Sequence, residues 1–415
     1  MNGLSVGTLV AEAKNQIWFE YAPEWIVSGF DLSPQTLAFS TKPQLARDNL
    51  FSGLHGVFYD SLPDGWGLLL MDRAFKSRYD CSYRDITPLD RLAYIGSRAM
   101  GALEYAPEYD QEPVPDEVDL GTMAASSEAV LEGSETEVLA QLRIQGGSPG
   151  GARPKVTIAR SDSNPVCLSG FGNIFNGYTH WIVKFRSKDD APDMGCREKA
   201  YSEMARLAGI DMPPTDIIQI GAGKTSEKFF AVRRFDRDAA HNGRHHVLSL
   251  AGFIYANFRA PCIDYESVLQ ATSFLTRNST ELEKAFRLMV FNILSHNKDD
   301  HAKNFSFIGS RQGWRLSPGF DLTFSSGMNN EHTTAISGHG NPGMIEVIKL
   351  AHKFHLHRAE QIIGEVRYAT TQWDVLAKES GVTQTSANEI KKALAVIDHR
   401  FSQVPLQHYS NSHLR

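Results

Sequence analysis

Asp299 and Asn304 stand five residues apart in the segment Asn297-Lys298-Asp299-Asp300-His301-Ala302-Lys303-Asn304. Asp321 follows in Pro318-Gly319-Phe320-Asp321. Asp and Asn at this spacing, then a further Asp, supply what phosphoryl transfer needs. One group is a base for an acceptor hydroxyl; the others are hard oxygen ligands for Mg²⁺ between phosphates. The same residues also fit a polar loop with two solvated aspartates and a capping asparagine, so both readings stay open. His301, with Asp299 and Asp300, invites a metal cluster as well. No second His lies at ligand spacing, since His296 precedes a loop and not an HExxH helix. A loop-fixing hydrogen bond or a phosphate contact is the better reading of His301.

Upstream lie further groups of the same chemistry. Gly146-Gly147-Ser148-Pro149-Gly150-Gly151-Ala152-Arg153-Pro154-Lys155 is glycine-rich, so its amides could form an anion nest, with Lys155 adding charge. Pro149 and Pro154 donate nothing, and the segment is no GxxxxGK[ST] loop. A plain interstrand turn explains it as well. Lys184 ends the apolar run Thr179-His180-Trp181-Ile182-Val183-Lys184, where it could grip phosphates or snorkel at a strand edge. Glu198 and Glu203 on the next expected helix are its candidate partners. Phe229 to Arg237 ends the β-rich part, either as a hinge that reads adenine or as an ordinary strand end. The order of these elements, each weak alone, fits one nucleotide site.

Elements that must carry these residues follow from periodicity. A hairpin is expected over 9–11 and 17–19, helices over 68–74 and 89–95, and a closing strand over 101–105. Strands are expected over 156–159, 181–185, 217–220, 229–232 and 305–308, and helices over 198–208, 281–294 and 389–397. Between Arg98 and Arg143 there is no Lys or Arg, but there are 11 Asp or Glu, with Pro107, Pro113 and Pro115 among them. This reads as an acidic linker with a short helix over 134–142. The expected fold class is α+β: a small N-terminal α+β domain and a two-lobed core with a largely helical C-terminal lobe. The expected boundaries are 1–106, linker 107–140, β-rich nucleotide lobe 141–237 and helical catalytic lobe 238–415.

Composition narrows the class. The 415 residues are 42% hydrophobic and 22% charged, ordinary for a globular chain large enough for several domains. No apolar run approaches the roughly 18–20 residues of a membrane span. Met1 to Gln16 lacks a basic segment followed by an apolar core, so no signal peptide is expected. Cys81, Cys167, Cys196 and Cys262 form no CxxC pair, which fits a reducing cytoplasm and no disulfide framework. A net charge of −6 argues against direct nucleic-acid binding.

At these residues the chain resembles the HipA family, serine/threonine kinase toxins of bacterial type II toxin–antitoxin systems. The matching text is Ser148-Pro-Gly-Gly-Ala-Arg-Pro-Lys155, Trp181-Ile-Val-Lys184-Phe, Glu198, Met204-Ala-Arg-Leu-Ala-Gly209-Ile-Asp-Met-Pro213, Val232-Arg-Arg-Phe-Asp-Arg237, Asp299-Asp-His-Ala-Lys-Asn304 and Pro318-Gly-Phe-Asp321. Leu62-Pro63-Asp64-Gly65, Ile95-Gly96 and Gly101-Ala102-Leu103 resemble the family's small first domain. The resemblance implies Asp299 as catalytic base, Asn304 and Asp321 as Mg²⁺ ligands, and Lys184 and His301 as phosphate contacts. It implies Gly150, Gly151, Ala152 and Lys155 as the phosphate loop, Arg233 to Phe235 as the adenine hinge, and Ser148 as an autophosphorylated regulatory serine. ATP and Mg²⁺ would be the cofactors, and a translation component, typically an aminoacyl-tRNA synthetase, the protein substrate. A HipB-type DNA-binding antitoxin would be the partner, with DNA reached only through it and no membrane involved. Three residues depart from the family: Asp300 where Gly is common, Pro149 after Ser148, and Arg233 where an acidic residue is common. Two other readings compete: a catalytically silent module acting with an antitoxin on an operator, and a small-molecule phosphotransferase.

Overall fold

The computed structural model describes residues 1–12, 16–47, 50–109, 116–133, 140–147, 150–221, 226–238 and 242–402. The fold is α+β and divides into two compact units. Unit 1 comprises Met1–Gly195, Pro214–Tyr255 and Ser306–Trp314; unit 2 comprises Cys196–Pro213, Ala256–Phe305 and Arg315–Arg415.

Unit 1 begins with the expected hairpin. Strand Gly7–Ala11 pairs antiparallel with Ile17–Tyr21, and Gln44–Leu45 adds a third strand. Helices Gly65–Tyr79 and Pro88–Ile95 follow, the second opened by a capping box between Thr87 and Asp90. A five-stranded sheet then forms in the order Leu168–Ser169, Lys155–Arg160, Thr179–Lys184, Glu227–Arg233, Thr215–Ile220, every neighbour antiparallel. Val156, Ile158, Trp181, Val183, Phe229 and Ala231 place this sheet in one apolar cluster. Burying such side chains contributes about 1.5–3 kcal/mol each.

The acidic stretch is more than a connector. Helix Leu120–Glu132 lies within it, capped by the Asp119 side chain on Thr122 N–H, and its Leu120, Met123 and Val130 enter the same cluster. Three buried apolar residues outweigh the acidic composition around them. Of the helix expected over 134–142, Ala140–Gly146 is observed, and 134–139 lie outside the described residues. The strand expected over 101–105 is not formed. Gly101 adopts φ +78°, its N–H donates to Asp236, and Arg237 takes its carbonyl and that of Ala99. These bonds satisfy the backbone without a partner strand.

Unit 2 is largely helical. Helix Ser279–Leu294 buries Phe286, Met289, Val290 and Ile293 and packs against Tyr265–Thr276 and Ala359–Thr371. Asn278 caps its start by accepting from Thr280 N–H at 2.9 Å. Helices Met344–Lys353, Trp373–Glu379 and Gln384–Ser402 complete it. Among the described residues no helix is long and apolar enough to cross a membrane.

Candidate functional site

The expected site residues fall into two groups, one in each unit. In unit 1, the glycine loop is held from the N-terminal segment. Asp64 Oδ1 accepts from Gly151 N–H, and Trp66 N–H donates to Gly151 O at 3.0 Å. Glycine is required where the chains meet. A Cβ on Gly65 (φ +45°) would stand 2.6 Å from Gly151 O, and one on Gly151 (φ +100°) 2.4 Å from Lys155 Nζ. Lys155 is buried and donates to Gly150 O at 2.5 Å. Its strand pairs with that of Lys184, the two lysines standing as Cα partners. Lys184 Nζ lies 5.7 Å from the Phe230 ring centroid, a cation–π contact at the sheet end. The structure thus brings Gly150, Gly151, Lys155 and Lys184 to one end of one sheet. Ser148 and Pro149 lie outside the described residues.

The stretch 233–237 is fixed by its buried charges. Arg233 N–H donates to Pro214 O and Arg234 N–H to His180 O, both at 2.9 Å. Asp236 is buried and bridges Arg234 and Arg237, each at 2.7 Å. Burial alone would raise its carboxyl, but the two guanidiniums outweigh that and hold it far below the usual carboxylate range. Burial, aided by Arg234 and Arg237, pushes the His180 ring down to about 4, so at neutral pH it is uncharged. Arg233 and Phe235 are half-buried.

In unit 2 the loop 297–304 is built from a hydrogen-bond chain rooted in the helices. Asn297 Nδ2 donates to Asn292 Oδ1 at 2.9 Å, and Asn292 Nδ2 to Tyr265 Oη at 3.1 Å. Tyr265 donates to Asp300 Oδ2 at 2.6 Å, and His332 Nδ1 meets the same oxygen at 2.9 Å. Asp300 Oδ1 accepts from Thr333 and Thr334 N–H at 2.8 and 3.2 Å. Burial and the Asp300 charge raise the Tyr265 phenol well above its ordinary value, which keeps it a donor.

Asp300 therefore anchors the loop. It is wholly buried with both oxygens occupied, so it neither loosens the loop nor ligates a metal with His301. Sequence reasoning missed this role because none of the partners is near in sequence. His301 accepts from Lys303 N–H at 3.3 Å through Nδ1 and opens the turn Ala302–Asn304, a loop-fixing bond of the kind that was one of its two expected roles. Among the described residues no cluster of three His, Cys, Asp or Glu is placed to hold a metal.

Asp299 is exposed between buried neighbours. Its carbonyl accepts from Asn304 Nδ2 at 2.6 Å. That bond commits the amide's donor end and leaves Oδ1 as the end able to ligate a cation. Asp321 is half-buried at φ +56°, a conformation that non-glycine residues seldom adopt and that clusters at functional sites. The segment after it returns to the loop: Ser325 bridges to Asn297, and Phe324 stacks on His296 at 4.9 Å. An amide oxygen and a carboxylate are the hard donors that Mg²⁺ prefers when phosphates complete its shell, so these two residues fit the ion. Of the expected partners of Lys184, Glu203 is held by Lys199 and Arg206 at 2.5 and 2.7 Å, whereas Glu198 is buried.

Comparison with known proteins adds the family. Residues 1–106 match the family described as the HipA N-terminal domain, and residues 147–373 that described as the HipA-like C-terminal domain. "Putative kinase Y4mE" of Sinorhizobium fredii is 28% identical over 344 residues, covering 77% of this chain and 75% of that protein. A protein of Haemophilus influenzae named "Putative kinase" is 26% identical over 189 residues, covering 43% of this chain and 52% of its own length. A chain from the Shewanella oneidensis MR-1 complex of HipA, HipB and operator DNA superposes with a TM-score of 0.69. It is 18% identical, with 97% of this chain and 96% of that one covered, which shows a shared fold.

Proposed function

Since the chain belongs to the HipA family, we propose that it is an ATP- and Mg²⁺-dependent serine/threonine protein kinase that arrests bacterial growth. One observation carries the reading: Asp299 projects to solvent from a buried loop while Asn304, tied to its carbonyl, presents an amide oxygen. Asp299 takes the proton of a serine or threonine hydroxyl as that oxygen attacks the γ-phosphorus of ATP. The bond to the bridging oxygen breaks and ADP leaves. Asn304 and Asp321 would hold Mg²⁺, which when bound neutralises charge on the phosphate oxygens. Lys184, Lys155 and the amides of Gly150, Gly151 and Ala152 grip phosphates, and His301 adds a contact. The backbone of Arg233 to Phe235 reads adenine, which makes the unusual Arg233 side chain tolerable.

The acceptor is an aminoacyl-tRNA synthetase or another translation component in the cytoplasm. A HipB-type antitoxin binds the kinase, and DNA is reached through that partner. The HipA–HipB–operator complex of the similar fold and the net charge of −6 support this arrangement. Autophosphorylation of Ser148 adds about −1.5 to −2 charge to the loop and switches activity off.

Transfer of labelled γ-phosphate to proteins of a bacterial lysate tests the reading. Asp299→Asn should lose about 10²–10⁴-fold in rate with an unchanged melting temperature, because the side chain is exposed. Full activity in this variant would overturn the assignment of the base. Mass spectrometry should find phosphate on Ser148 in the active enzyme and none in Asp299→Asn.

A further inference from the structure

Unit 2 contains a cavity of about 530 Å³ that the proposed reaction does not use. It is within the range of pockets that hold small organic ligands, roughly 300–1,000 Å³. Lys298 lines it and is only 4% exposed, while the next residue, Asp299, is exposed.

Lys298 Nζ donates to Asn330 O at 2.6 Å, Asn330 Oδ1 at 2.9 Å and Asn341 Oδ1 at 2.9 Å. All three acceptors are uncharged, and among the described residues no carboxylate forms an ion pair with this ammonium. Because both amide oxygens point at Lys298, both amide nitrogens must point elsewhere as donors. Arg400 also lines the cavity; among the described residues its guanidinium meets only Asn341 O, at 3.3 Å. His332 lines it too and spends Nδ1 on Asp300, which leaves Nε2. Among the described residues no Asp or Glu is in the wall. His296 lines it as well, and the rest is apolar, chiefly Ile293, Val396 and Ile397. Burial, then the Arg400 charge, lowers the Lys298 pKa, while the Glu331 and Asp300 charges raise it.

We propose that this cavity is a binding site for a small organic oxyanion, a phosphate or carboxylate head carried on an apolar body. The head meets Arg400 and the amide nitrogens of Asn330 and Asn341 above the buried ammonium, and the body lies on Ile293, Val396 and Ile397. None of the groups assigned to ATP lines this cavity, and the proposal does not depend on the kinase reading.

Calorimetry on the full chain with phenyl phosphate, at matched ionic strength, tests it. Arg400→Gln should weaken binding about tenfold or more, the usual effect of losing a charged hydrogen-bond donor. Asn341→Asp replaces a donor by an acceptor and gives Lys298 its carboxylate, so binding should vanish. Lys184→Gln should leave binding intact. Benzoate binding would assign the site to carboxylates, and phenyl phosphate alone to phosphates; inorganic phosphate should bind more weakly than phenyl phosphate. Absence of binding by both aromatic anions overturns the proposal. So does binding that survives Arg400→Gln and Asn341→Asp and disappears in Lys184→Gln, which would move the anion to unit 1.

Discussion

Asp236 in unit 1 and Asp300 in unit 2 are both buried, and each adjoins a stretch expected to act on substrate. Their charges are met in different ways. Asp236 is clamped by two guanidiniums, and the same ion group reaches Ala99 and Gly101, more than a hundred residues away. Asp300 receives a phenol, an imidazole and two backbone amides. Ion pairing welds distant segments but leaves a large desolvation cost if one partner is lost. Directional hydrogen bonds to both carboxylate oxygens fix an orientation, and here they orient the loop that carries Asp299. Unit 1 thus uses charge to hold, and unit 2 uses geometry to aim.

The largest effect should come from Asp236→Ala, which strands two buried guanidiniums. A loss of about 3–5 kcal/mol is expected in urea unfolding. Combining Asp236→Leu with Arg234→Met and Arg237→Met should recover much of it. A cost under about 1 kcal/mol for Asp236→Ala would break the contrast.

Acid should separate the two regions next. Burial pushes His55, His180 and His246, all in unit 1, down to about 4, with the Arg234 and Arg237 charges assisting at His180. Unfolded rings take up protons near 6.5 and folded ones do not. Stability is therefore full above about pH 6.5 and falls as pH drops towards 4, by up to about 3 kcal/mol per ring. The depressed Asp236 carboxyl acts only below about pH 4, where the unfolded group begins to protonate. Hydrogen exchange followed from pH 7 to pH 4.5 should show unit 1 amides losing protection. Constant protection there would contradict neutral buried rings.

Asp300→Asn should cost about 2 kcal/mol, since one oxygen that accepts from two amides or from Tyr265 and His332 becomes a donor. Its main effect should be on kcat, with the KM for ATP little changed, because the loop loses aim and not grip. A change in KM alone would assign Asp300 to nucleotide binding. Least affected should be Glu203→Gln: a partly exposed pair contributes at most about 1 kcal/mol, and phosphate transfer should persist. Glu198→Gln should lose transfer. The reverse pattern would exchange the roles of the two glutamates.

Much of this was legible in the chain. Alternation in 179–184 and the apolar face of 281–294 foretold a strand and a helix, because period 2 and period 3.6 patterns bury one face each. Asp299, Asn304 and Asp321 stood out by type and spacing. The helix 120–132 was hidden by its acidic neighbours, since charge count ignores which face the apolar residues share. The contact of Asp64 with Gly151 was hidden by 87 residues of separation.

By itself, then, the order of residues determined the α+β class, the positions of the main strands and helices, and the chemical types offered to a phosphate. Those follow from local periodicity and side-chain chemistry. Only the tertiary structure decided which aspartate is exposed and which is buried as a support. Asp299 and Asp300 are identical and adjacent in sequence, yet one faces water and the other is sealed among Tyr265, His332 and the amides of 333–334. Whether a carboxylate is solvated or satisfied internally depends on groups the chain brings together only on folding.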